Sequence, residues 1–166
     1  MAAPATAAPG FKLKTFGTGE VTVTSSTSAT IVNDAGEFGG VYLQSKSESS
    51  KPLDSVDFQF RSTGDVGGGA PRFSIPIDDP ATGTKVDGYA FLDVNGGGGD
   101  PTGVVPTLVS TQAGNCQVFF NADTYANWTA FAAANPTFRT SPGHIPFIIA
   151  DAPGSYEVDG IVLRTK

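Results

Sequence analysis

The run Ser55-Val56-Asp57-Phe58-Gln59-Phe60-Arg61 alternates apolar and polar residues without a break. Successive side chains of a β-strand point to opposite faces, so Val56, Phe58 and Phe60 share one face and Asp57, Gln59 and Arg61 the other. A helix of 3.6 residues per turn would scatter the same side chains around its circumference. A Phe-bearing strand face needs a second layer to cover it, and this commits the chain to a packed β architecture.

Similar signals recur, separated by Gly, Pro, Asn and Asp. Glu20-Val21-Thr22-Val23-Thr24 alternates, Ala29 to Val32 and Val41 to Gln44 follow, and Phe73, Ile75 and Ile77 repeat the period. Pro76 lies on the face opposite those three, and its missing N–H predicts an edge strand or a bulge. Gly88 to Val94 is apolar almost throughout and reads as a strand covered on both faces. Thr107 to Ser110, Cys116 to Phe120 and Ile145 to Ala150 add further strands. Asp159-Gly160 interrupts the last pattern, from Tyr156 to Leu163, and marks a bulge or a tight hairpin.

One helix is predicted near residues 124–134. Asp123 or Thr124 can cap it, and Tyr125, Trp128, Phe131 and Ala132 form one apolar stripe. The alanines at 130 and 132–134 add helix propensity, and Asn135-Pro136 ends the segment, because a residue before proline avoids helical dihedrals. The expected fold is therefore all-β: antiparallel sheets in a β-sandwich or jelly roll with one short helix. We expect a single domain over residues 11–166, preceded by a flexible Ala/Pro-rich arm, Met1 to Gly10. That arm has neither the charged n-region nor the apolar stretch of a signal peptide.

Composition excludes several functions. Among 166 residues there are 16 acidic and 10 basic side chains, a net charge of −6. Nucleic acid rewards the opposite balance, so no nucleic-acid partner is expected. No apolar run approaches the roughly 18 residues of a membrane span, so no membrane insertion is expected. Cys116 is the sole cysteine, which rules out an intrachain disulfide, and it reads as a buried, inert thiol.

Few residues point to chemistry. Asp78, Asp79 and Asp87, then Asp93, Asn95 and Asp100, fall in loops and suggest a calcium site, since Ca²⁺ needs six to eight oxygen ligands. Against this, the spacing departs from an EF-hand, with Gly97 and Pro106 where ligands belong, and Asp and Asn also serve as ordinary turn residues. Gly67 to Gly69 and Gly96 to Gly99 lack the Lys-Ser/Thr and the helix start of a phosphate loop. His144 has no nucleophile elbow to serve, and Asp57 and Asp93 are the least turn-like carboxylates for a hydrolytic pair. Tyr42, Tyr89 and Tyr156 are candidates for a sugar-stacking platform, because a phenol ring offers a π face and a polar tip. Asn127-Trp128-Thr129 matches a glycosylation sequon but falls within the expected helix.

No enzyme is expected. The favoured expectation is a structural or interaction protein on the surface of an assembly, for example a decoration component of a virion capsid. Its partners would be other proteins or copies of itself, held through the arm and strand edges. The alternative is a secreted carbohydrate-binding module with a glycan partner and a loop calcium site. Either places the chain outside the cell or on a virion surface, with no cofactor beyond calcium.

Overall fold

The computed structural model describes residues 10–45, 48–65, 69–95 and 103–165. Thirteen strands lie, in chain order, at Lys12–Gly17 (β1), Glu20–Ser25 (β2), Ser28–Asn33 (β3), Gly39–Gln44 (β4), Val56–Gly64 (β5), Arg72–Asp78 (β6) and Gly88–Asp93 (β7). They continue with Thr107–Ser110 (β8), Val118–Phe120 (β9), Asp123–Tyr125 (β10), Arg139–Thr140 (β11), Phe147–Ala150 (β12) and Gly154–Thr165 (β13). A helix, Trp128–Ala134 (α1), separates β10 from β11. The expected arm, apart from Gly10, lies outside the described residues, as do Asp100 and most of the two glycine loops.

All pairings are antiparallel and make two sheets. The larger runs β1-β4-β12-β6-β7-β9-β10, with β11 beside β6, and the smaller runs β2-β3-β13-β5-β8. Four pairings nest inside one another: β6 with β7, β5 with β8, β4 with β12, and β3 with β13. Rolling one long antiparallel hairpin onto itself produces this arrangement, with β4-β12-β6-β7 facing β3-β13-β5-β8, which is a jelly roll. β1 and β2 extend the two sheets at one side, while β9, β10, α1 and β11 are inserted between β8 and β12.

The core fills the space between the sheets. Phe58, Phe60, Phe73, Ile75, Ile77, Ile148 and Tyr156 are among its fully buried members. Phe73 of the larger sheet stacks on Phe58 of the smaller at 5.8 Å and 11°, and meets Phe60 at 6.1 Å.

Pro76 is neither on an edge strand nor in a bulge. The β12 ladder on β6 ends at Ser74, and β11 takes over at Ile77, so Pro76 sits where that side of β6 changes partner. Its carbonyl accepts from Ser141 there, and no ladder bond needs the missing N–H. Asp159-Gly160 is a bulge. Asp159 pairs with Arg61 and Val162 with Gln59, so two residues of β13 oppose one of β5. Gly160 is the extra residue at φ +56°, a left-handed conformation suited to glycine.

The helix is shorter than expected. Asp123 to Tyr125 pair with β9 instead of starting it. Asn127 is the cap: its Oδ1 accepts from the Ala130 N–H at 2.9 Å, and its Nδ2 donates to the Gly114 carbonyl at 2.9 Å. The apolar stripe persists because Tyr125, from its strand, meets Phe131 at 5.1 Å, as Trp128 does at 5.2 Å. Trp128 is buried, and its indole N–H donates to the Leu53 carbonyl at 2.6 Å, which ties the helix to the start of β5.

Candidate functional site

Strand alternation sends one residue set into the core and the other to the outside of each sheet. On the larger sheet the inward set includes Val41, Leu43, Phe73, Ile75, Ala90, Leu92 and Ile148, all buried. The outward set is Phe16 on β1, Tyr42 on β4, Phe147 on β12, and Tyr89 and Phe91 on β7, all half-buried. These rings form a continuous row. Phe16 lies 4.3 Å from Tyr42 and 5.6 Å from Phe147; Phe147 lies 5.7 Å from Tyr42 and 5.6 Å from Tyr89; Tyr89 lies 6.4 Å from Phe91. From β1 to β7 the row crosses five strands, about 19 Å at 4.8 Å per strand.

Small residues beneath the rings allow the row to close. Phe16 leans over Gly40, whose place cannot hold a side chain: a Cβ there would lie 2.6 Å from the Phe16 ring and 2.2 Å from the Ile148 carbonyl oxygen. Ser74, buried on β6, is in register with Phe147 on one side and Phe91 on the other. Beside it, Pro76 completes a low floor over which Tyr89 reaches Phe147.

Polar groups stand at the margins of the row. The Arg72 guanidinium lies 5.3 Å from the Phe91 ring centre and forks onto Asp151 at 3.0 and 2.6 Å. Lys14, in register with Tyr42, is exposed. The Tyr89 hydroxyl lies 3.5 Å from Nδ1 of His144. Burial, and secondarily the neighbouring Tyr42, raise the Tyr89 phenol above its ordinary value.

The sequence candidates therefore divide. Tyr42 and Tyr89 belong to the row. Tyr156 does not: it is fully buried between the sheets, and its hydroxyl donates toward the Ala152 and Pro153 carbonyls at 3.0 and 3.1 Å. The alternation that places Val158 inward places Tyr156 there too.

The acidic loops do not converge. Asp78, Asp79 and Asp87 stand at one end of β7, and Asp93 and Asn95 at the other. Six strand steps separate Asp87 from Asp93, about 20 Å, so these residues cannot share one ion. Asp87 instead closes its own loop. It accepts from the Asp79 N–H at 2.7 Å and the Thr84 hydroxyl at 2.8 Å. Its carboxyl is held below the ordinary range, first by the Asp79 N–H and then by the threonine hydroxyls. Asp79 caps the turn at Ala81, and Asp78 faces Arg139 at 3.6 Å. Among the described residues no group of three or more His, Cys, Asp or Glu side chains is placed to hold a metal ion.

Asp57 is bound by Arg164 at 2.6 Å on the smaller sheet, while Asp93 is on the larger, so they form no hydrolytic pair. Cys116 is buried, and burial raises its thiol above the ordinary value. An open cleft of about 700 Å³ between α1 and the Pro52–Asp54 segment has one carboxylate, Asp54, in its lining. No helix among the described residues is long and apolar enough to cross a membrane. No protein-family model, curated protein or solved structure matches this chain.

Sequence reasoning missed Phe16, Phe91 and Phe147 as site residues. The available signal was the two-sided apolar character of the β7 segment. One face of β7 meets the core, and the other carries Tyr89 and Phe91 in the ring row.

Proposed function

We propose that this chain is a non-catalytic interaction protein that docks onto a protein partner in a larger assembly through the aromatic outer face of its larger sheet. The observation that carries the reading is the contrast between the two outer faces. The smaller sheet turns outward Thr22, Thr30, Thr63, Arg61, Glu157 and Asp159, with Val32, Leu108 and Val162 as scattered apolar residues. The larger turns outward a row of rings flanked by Arg72, Lys14 and His144. Interface centres are enriched in aromatic residues and Arg, and anchor energy concentrates in them. One docking face and one water-facing side suit a surface component of a particle, such as a virion decoration protein.

Ring geometry favours a protein over a sugar. A stacked pyranose needs a flat platform, whereas Phe16, Tyr42, Phe147 and Tyr89 meet at 35°, 88°, 68° and 64°. Such a corrugated surface fits interdigitating side chains. The carbohydrate reading retains one observation in its favour: Tyr89 and Phe91 lie within 20° of parallel, beside the Arg72–Asp151 fork. A glycan that protects those two rings alone from solvent quenching would support it.

The test places a photo-crosslinking phenylalanine analogue at position 147 and, separately, at position 63 on the smaller sheet, in cells that make the protein. Docking through the row gives a discrete, saturable adduct from position 147 and none from 63. Equal yields, or no adduct from 147, would refute it.

A further inference from the structure

β1 opens the ring row with Phe16, and among the described residues no strand pairs with its far side. The ladders fix which of its main-chain groups face that side. Leu43 donates its N–H to the Pro146 carbonyl, so alternate residues of β4 bond toward β12 and those between them, Gly40, Tyr42 and Gln44, bond toward β1. Their partners on β1 are Phe16, Lys14 and Lys12. The N–H and C=O groups of Leu13 and Thr15 therefore point away from the sheet, and they have no main-chain partner among the described residues. Such an edge accepts a further strand through main-chain hydrogen bonds, while alternate side chains select the partner. On the inward side, Leu13 is half-buried against the core, as is Val21 of β2, the edge strand of the smaller sheet; Val23, of the same parity, is 41% exposed. On the outer face, Lys12 and Lys14 are exposed, and neither makes an ion pair among the described residues.

We infer that β1 receives an extended, acidic segment of the protein that docks against the ring row, added as a further antiparallel strand. Carboxylates of that segment lie over Lys12 and Lys14, and its alternate apolar side chains turn inward beside Leu13. The lysines decide between occupants. A second copy that added its own β1 about a two-fold axis, with Leu13 opposite the partner's Thr15, would set Lys14 against Lys14, and like charges directly opposite are destabilising. Edge lysines deter that self-pairing, whereas carboxylates opposite turn the same charges into attraction. The added strand lies next to Phe16, so strand and ring row form one continuous surface.

The source of the segment rests on the docking reading, whereas strand addition can be measured alone. The peptide acetyl-Thr-Val-Glu-Val-Glu-Val-Thr-amide is titrated into the isotopically labelled full chain, with the same peptide carrying Lys in place of both Glu as the control. We expect saturable shifts and hydrogen exchange slowed about ten-fold at the Leu13 and Thr15 amides. The Lys peptide should bind about ten-fold more weakly, although the net charge of −6 attracts it at long range. Thr15→Pro removes an edge N–H that no strand of this chain uses, at a position where proline is tolerated, and is expected to abolish the response. If that variant does not fold, the double variant Lys12→Glu, Lys14→Glu decides, because it should reverse the preference in favour of the Lys peptide. No saturable change, a Lys peptide that binds the native chain equally well, or an unreversed preference would overturn the strand site. So would Leu13 and Thr15 amides already slow in the free chain, which would show the edge filled by another segment or by a second copy. Strand addition without adducts from position 147 would overturn the docked partner and leave the strand site standing.

Discussion

Ser74→Ala is expected to stabilise this protein. Ser74 is fully buried on β6 between Phe147 and Phe91, and its Oγ has no hydrogen-bond partner among the described residues. A buried hydroxyl left without a partner costs about 1–3 kcal/mol relative to water. Alanine keeps the Cβ that supports the rings and removes the hydroxyl. With the lower part of that range as the gain, about 1–2 kcal/mol, and a shift of about 2–4 °C per kcal/mol for a chain of this size, Tm rises by roughly 2–8 °C. Thermal unfolding followed by near-ultraviolet circular dichroism or calorimetry reads this directly. Ser62→Ala is the internal check: Ser62 is buried on β5 in register with Val158, its Oγ also lacks a partner among the described residues, and the same sign is expected. A Tm that falls in Ser74→Ala would refute the reasoning. It would mean the hydroxyl is held by the faces of the surrounding rings, a weak bond that alanine forfeits.

Gly64→Ala and Gly160→Ala should separate steric from conformational cost. At Gly64, φ +95°, a Cβ would lie 2.3 Å from the Ser155 carbonyl oxygen, and a loss of about 3 kcal/mol or more is expected. At Gly160, φ +56°, the nearest atom is a guanidinium nitrogen 3.6 Å away, and left-handed strain alone should cost about 1 kcal/mol. Urea titration monitored by Trp128 fluorescence distinguishes them, and equal losses would refute the separation of steric clash from left-handed strain. Asn127→Ala removes the cap of α1 and the bond to Gly114, with an expected loss of about 1–2 kcal/mol by the same titration; no change would show the cap to be dispensable. The Cys116 thiol and the Tyr89 and Tyr156 phenols are all raised, chiefly by burial, from ordinary values of 9.0 and 10.0. The folded state holds these protons more tightly than the unfolded one, so their contribution is complete below pH 9 and is lost as pH rises through the unfolded values toward the folded ones. The urea midpoint should fall as pH rises above about 9, less steeply in Tyr156→Phe, and a level midpoint would contradict this.

Interior strands were legible because their alternation is written in bulky residues. Val56, Phe58 and Phe60 announced β5, and Phe73, Ile75 and Ile77 announced β6. β1 was not legible: Lys12, Lys14 and Thr15 are exposed residues of an edge strand, where burial imposes no pattern. The helix boundary failed for a different reason. Tyr125 packs on Phe131 from a strand, and its spacing from Trp128 imitates a helical turn. The ring row was illegible because its members are distant in sequence and meet only once β12 is threaded between β4 and β6. The acidic loops invited a shared ion because sequence proximity hides the length of β7.

The nested pairing carries a consequence for synthesis. β12 and β13 come last in order among the described strands, yet each lies in the interior of its sheet, with β12 between β4 and β6 and β13 between β3 and β5. Until a ribosome has released residues 147–165, β3 and β4 have no neighbour on one side, and β5 and β6 lack the strand that joins them to the rest. Closure of the roll therefore waits for residues 147–165 and depends on long-range contacts, which makes folding slow. A nascent chain stalled before Phe147 would expose open sheet edges and core-facing phenylalanines together, the combination that chaperones bind and aggregates recruit.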